Sequence, residues 1–99
     1  MKKAPTFLSL KDLVEGKFYR VEAFEHVTTA KGERIRLKLS DTSFVDKIAY
    51  VHLPERLLHH ILPKIEKLNL KCQSKKPIFL VYKGLRGKAF DLRFTGKPH

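Results

Sequence analysis

The sequence predicts a mostly-β domain with one helical insertion, its elements running strand, strand, strand, helix, strand, strand. Three observations predict it. Residues 34–39 alternate without a fault: Ile35, Leu37 and Leu39 take one parity and Arg34, Arg36 and Lys38 the other, the period of a half-buried strand. Residues 77–95 hold two runs rich in aromatic and branched side chains, joined by Lys83-Gly84-Leu85-Arg86-Gly87-Lys88, which is the pattern of a β-hairpin with a glycine-bearing loop. Leu57, Leu58, Ile61, Leu62, Ile65 and Leu68 follow helical spacing and form one apolar stripe.

Taken in order, residues 1–6 are a basic tail. Phe7, Leu8, Leu10, Leu13 and Val14 suit a short turn or helical piece that closes one end of the fold, ended by Glu15-Gly16. Residues 17–29 read as a long first strand whose alternation slips near Ala23 to Val27. A slip of register is what a β-bulge produces, and it bends a strand enough to serve two sides of a small barrel. Ala30-Lys31-Gly32-Glu33 is the following turn, with Gly32 at the position most in need of conformational freedom. The second strand, residues 34–39, has a core face and a basic row.

Residues 40–47 form a polar loop in which Phe44 and Val45 are either tucked in or displayed. The third strand, residues 48–53, puts Ala49, Val51 and Leu53 on one side and Ile48, Tyr50 and His52 on the other. Pro54-Glu55-Arg56 opens the helix, since proline tolerates the first turn and an acid there complements the helix dipole. Pro63 removes a donor and restricts the residue before it, so a break is expected there. Residues 70–76 are a basic connector to the hairpin, where Phe90, Leu92 and Phe94 alternate with Asp91 and Arg93, and Phe90 and Phe94 are assigned to the core. Residues 96–99 are a short tail.

The 99 residues make one domain, and a chain of this length buries roughly 65% of its unfolded surface, enough for a modest core without staples. The single cysteine, Cys72, excludes an intrachain disulfide and has no second thiol at metal-ligand spacing. Apolar runs stay far below the ~20 residues that cross a bilayer, and the first ten residues lack a secretory h-region. An intracellular protein of nucleus or cytoplasm is expected, without a membrane partner. Twenty-one Lys and Arg against ten Asp and Glu give a net charge of +11, a field that attracts polyanions, of which nucleic acid is the commonest.

The element order and the basic hairpin YKGLRGKAFDLRF resemble the OB-fold proteins that bind single-stranded nucleic acid, over residues 17–95. The resemblance implies a five-stranded barrel plugged by the helix. It implies a ligand lying across strands two and three, between the loops that join strands one to two and four to five. By position those regions are residues 30–33, 34–39, 48–52 and 83–88. The chain is also similar to small uncharacterised proteins of arthropod genomes and their mobile or viral elements, through LKDLVEGKFYRV, VHLPERL and LVYKGLRGKAFDLRF. That likeness carries no established activity.

Binding single strands with little sequence preference needs a cationic groove for phosphates and flat side chains on which unpaired bases stack. Lys31, Arg34, Arg36, Lys38, Lys83, Arg86 and Lys88 supply charge, and Phe24, Tyr50, His52 and Tyr82 are candidate stacking platforms. Tyr50 and Tyr82 each read two ways, as exposed platform or as core. The expected partner is single-stranded DNA, with RNA less favoured, and the edge strand Ala89 to Phe94 is a route to a homo-oligomer. The alternative is a protein-interaction barrel whose charge is incidental, presenting Tyr50, His52 and Phe44. An enzyme is not expected, nor a cofactor or a metal. His59 and His60 point about 100° apart on a helix, Asp41, Asp46 and Asp91 show no spacing that gathers them into a nuclease site, and Ser40, Ser43 and Cys72 have no evident base.

Overall fold

The computed structural model describes residues 6–44, 46–74, 77–87 and 89–96. It is sheet-dominated, with six strands where five were expected: β1 (Phe7–Leu8), β2 (Phe18–Thr29), β3 (Gly32–Ser40), β4 (Ile48–His52), β5 (Ile78–Arg86) and β6 (Ala89–Thr95). They form one sheet of order β1-β4-β3-β2-β5-β6, curled into a half-barrel. The unexpected strand is β1. Only two residues long, it pairs parallel to β4, Phe7 opposite Tyr50 and Leu8 opposite Val51, and Tyr50 N–H donates to Thr6 O at 2.8 Å. The expected helical piece is shorter and follows it, as a single turn at Leu10–Asp12 fastened by the Ser9 N–H on Asp12 Oδ2 at 2.9 Å. This turn drives Leu10 and Leu13 into the core.

β2 serves two sides, as its broken alternation predicts. It pairs antiparallel with β3 along most of its length and with β5 over Phe18 to Val21 only. The register shifts between Val21 and Ala23, at the leading edge of the expected window. Tyr19 and Val21 point inward before the shift and Phe24 after it, so the bulge exchanges parities. Past Val21, β2 has lost β5 as a neighbour, and a backbone edge facing the interior needs other partners. Asn69 supplies them: Phe24 N–H donates to its Oδ1 at 2.7 Å, and its Nδ2 donates to Phe24 O at 2.9 Å. One amide side chain thus stands in for a missing strand.

The helical segment is broken where Pro63 predicts. A turn of 3₁₀ helix at Glu55–Leu57 leads into α1 (Leu58–Ile61), a second at Leu62–Lys64 carries the proline in its first turn, and α2 (Ile65–Cys72) follows. α2 consumes the first residues of the expected connector and lies against β2, where Asn69 reaches Phe24. Leu58, Ile61 and Cys72 complete a core built on Tyr19, Val21, Leu37, Leu39, Val51 and Leu80.

The hairpin closes more tightly than its sequence suggests. β5 runs on through Arg86, with an irregularity between Tyr82 and Leu85, so Lys83 to Arg86 belong to a strand and not to the loop. Gly84 makes this bulge possible. Its φ is +94°, and a Cβ there would stand 2.8 Å from Glu15 Oε1. Phe90 packs against the core as expected, with Leu92 beside it, but Phe94 is 38% exposed, its ring 5.7 Å from that of Phe24. Among the described residues no helix is long and apolar enough to cross a membrane.

Candidate functional site

Register decides which side chains share the outer face. Because Lys38 lies opposite Tyr50, Arg36 opposite His52 and Tyr50 opposite Phe7, the cations of β3 meet the aromatics of β4 and β1 on one surface. Ala49, Val51 and Leu53 turn to the core, leaving Ile48, Tyr50 and His52 outside, as their alternation predicts. The Arg36 guanidinium carbon stands 4.9 Å from the Tyr50 ring centre and 5.8 Å from that of Phe7. Phe7 in turn stacks on His52, centroids 5.9 Å apart and planes 7° from parallel, and tilts against Tyr50 at 5.6 Å. Four side chains from three strands therefore make one platform with a cation in it. Phe7 is 51% exposed, an uncovered ring in that platform.

Phe7 is the member that sequence reasoning missed, having placed it with packing residues. The two corrections run the other way. Phe24 is 3% exposed and Tyr82 is 5% exposed, both in the core, so neither presents a face to a base. The bulge after Val21 turns Phe24 inward, and Tyr82 sits against Phe90, ring centres 6.0 Å apart. Phe44, weighed as a displayed contact, stacks instead on buried Tyr19 at 5.5 Å.

The cations are less free than a basic row implies. Glu25 lies directly opposite Arg36 on β2, and its Oε1 accepts from Arg36 Nε at 2.7 Å. Arg34 donates to Glu33 O at 2.7 Å and approaches Glu55 Oε2 at 3.7 Å. Lys38 makes no ion pair among the described residues, and Lys31 stands exposed on the β2–β3 turn. Lys31, Arg34 and His52 line a shallow cavity of about 360 Å³ with Thr29, which extends the platform toward that turn. His52 is driven below the ordinary imidazole range by burial first and then by Arg36 and Arg34. Its ring is therefore neutral above the ordinary histidine pKa of about 6.5, a state that stacks without adding charge.

Of the described hairpin cations, neither Lys83 nor Arg86 is in the ring and cation contacts of this platform. Lys83 is exposed, and Arg86 Nε lies 2.9 Å from Asp91 Oδ2, an ion-pair distance without hydrogen-bond alignment. Arg93 donates to Asp91 Oδ1 at 3.2 Å, and with Arg86 it holds the Asp91 carboxyl below its usual range. Lys88 lies outside the described residues.

A separate polar cluster falls at the opposite end of β3. Lys17 Nζ stands 2.7 Å from Asp41 Oδ2 and 3.2 Å from Ser43 Oγ, while Ser43 donates to Asp41. The structure thus gives Ser43 the basic neighbour that its sequence did not reveal. That neighbour is no base: the Asp41 carboxylate raises the Lys17 pKa, so the ammonium keeps its proton. For Asp41 burial pushes the carboxyl up, but Lys17 and Ser43 outweigh it and leave it below the ordinary range. A depressed carboxyl stabilises the fold fully above its unfolded pKa of about 3.9 and progressively less as pH falls through the folded value. Thermal unfolding of Asp41→Asn should therefore show its largest deficit against the parent above about pH 5, closing in strong acid. A deficit constant from pH 7 to 2 would assign the pair no ionic role. Among the described residues no group of three or more His, Cys, Asp or Glu is placed to hold a metal ion.

Compared with family models, with curated proteins and with solved structures, the chain has no match in any of the three.

Proposed function

We propose that the protein binds single-stranded DNA, RNA less favourably, by stacking bases on Phe7, Tyr50 and His52 and setting the phosphates against Lys31, Arg34, Arg36 and Lys38. The observation that carries this reading is Arg36 standing over both Tyr50 and Phe7 on an exposed face. Unpaired bases offer π-faces to such a platform at roughly 1–3 kcal/mol each, and a duplex hides them. Glu25 holds Arg36 in place and also opposes phosphate there, which favours flat ligands over bare charge.

The OB-fold is the finer architecture of the proposal. A first long strand paired on both sides across a bulge, with a helix between β4 and β5, supports it. β1 is an addition to the five-strand plan, and it brings Phe7 to the surface where OB-fold ligands lie.

The test is fluorescence anisotropy of a labelled dT strand of about 25 nucleotides against a duplex of equal length, at two or more salt concentrations. With three or four phosphates neutralised, log K should fall with log salt at a slope of about −2 to −3, and the single strand should keep its preference at moderate salt. Equal, weak binding to both forms that disappears at moderate salt would reduce the +11 charge to a general polyanion field and return the protein-interaction barrel to first place.

A further inference from the structure

The curled sheet ends at β1 and β6, and both reach the same groove. Passing round the half-barrel from β1 through β4, β3, β2 and β5 to β6 leads back to a cavity of about 540 Å³ floored by Leu8, Leu10, Leu53 and Phe90, with Arg56 and Ala89 beside it. Across Arg56, Ala89 and Phe90 it opens into a shallower one of about 330 Å³, where Arg86, Asp91 and Arg93 stand. β6 pairs with β5 on one flank, and no strand among the described residues pairs with its other flank. On that side the Phe90 carbonyl accepts from an Arg56 side chain, a contact between side chain and backbone where a neighbouring strand would offer an N–H.

We propose that this seam binds an extended acidic segment of a partner protein, which adds as a strand along β6 and closes the half-barrel. Alternate side chains of such a strand point to opposite faces. Apolar ones would enter the cavity above Leu8, Leu53 and Phe90; acidic ones would meet Arg56, Arg86 and Arg93. Three arginines against the one carboxylate of Asp91 leave the rim positive, and Arg86 and Arg93 have most of their side chains exposed. Strand addition draws affinity from main-chain hydrogen bonds and specificity from alternate pockets. A nucleic acid fits less well here. The Phe90 ring is turned to Tyr82 instead of offering a face to a base. A phosphodiester also has no N–H to give the Phe90 carbonyl. The stacking platform lies on the outer face of β3 and β4, so the two surfaces border at His52 without coinciding.

The experiment titrates the whole chain with a fluorescein-labelled decapeptide of alternating glutamate and valine, with a block peptide of the same composition, and with decaglutamate, at near-physiological salt. Amide shifts are followed in parallel. The alternating peptide should bind at least about tenfold more tightly than either control, moving the amides of residues 89–94. Arg86→Gln/Arg93→Gln, both at exposed positions, should weaken it by about tenfold while the remaining amide spectrum is unchanged. A saturating dT strand should leave the peptide bound. Equal binding of decaglutamate would overturn the proposal in favour of charge alone. Displacement by dT, with shifts at residues 89–94, would overturn it in favour of a nucleic-acid path through the seam. Concentration-dependent self-association that moves the same amides without peptide would hand the edge to a second copy of this chain.

Discussion

Tyr50→Ala is expected to weaken binding of a single-stranded dT oligonucleotide by roughly 5- to 150-fold, the equivalent of one lost stack of about 1–3 kcal/mol. Phe7→Ala should act in the same direction. Neither change opens the core, because both rings lie on the outer face, and Phe7 is half exposed before it is removed. The exposed apolar residue Leu85, 60% accessible on the hairpin, is the control: Leu85→Ala removes comparable surface hydrophobicity away from the platform and should leave affinity within about twofold. The readout is anisotropy at fixed salt, with circular dichroism confirming the fold. Unchanged affinity in folded Tyr50→Ala and Phe7→Ala together would remove the platform from the binding site, whatever the salt dependence.

Asn69→Ala should lower stability by about 2–5 kcal/mol, through two backbone groups of Phe24 that lose their partner at once. The loss is large for a surface-adjacent helix residue because it is not a matter of helix propensity. β5 has departed from β2 by that point, the Phe24 N–H and C=O face α2, and among the described residues no other donor or acceptor replaces the amide. For a domain of this size each kcal/mol shifts the melting temperature by about 4–8 °C. Asn69→Asp separates the two bonds: it keeps an acceptor for the N–H but sets a carboxylate against Phe24 O, so it should fall at least as low as alanine at neutral pH and recover in acid. A melting temperature for Asn69→Ala within about 2 °C of the parent would show that water satisfies Phe24 equally well.

Much of the fold was legible because it rests on local period. The strict alternation of residues 34–39 sets the two faces of β3, Pro63 breaks the helix, and the slipped register of residues 17–29 signals a strand with two neighbours. What local period cannot carry is long-range pairing. β1 is two residues long and has no periodicity to read; it exists because β4 offers it an edge. Phe24 was misplaced for a related reason, since a bulge inverts parity beyond it and only the partner strand fixes where the inversion falls. Tyr82, which read two ways, keeps the parity of buried Ile78 and Leu80 and goes to the core with them. Glu25 opposite Arg36 is likewise a fact of register, invisible while the basic row of β3 is read alone. Asn69 carried no signal at all, being one polar residue on a short helix.

The shortness of β1 has a thermodynamic consequence. Phe7 reaches the platform only while its two-residue strand is seated, and a strand that small opens far more often than the domain unfolds. A ligand that needs Phe7 binds the seated form alone, so its occupancy and the opening of β1 are linked equilibria. The Tyr50 amide, bonded to Thr6 O, is a built-in meter of that linkage. Its hydrogen exchange should slow in proportion to the ratio of free ligand to dissociation constant, by about a hundredfold at a hundredfold excess over Kd, until global unfolding becomes the faster route.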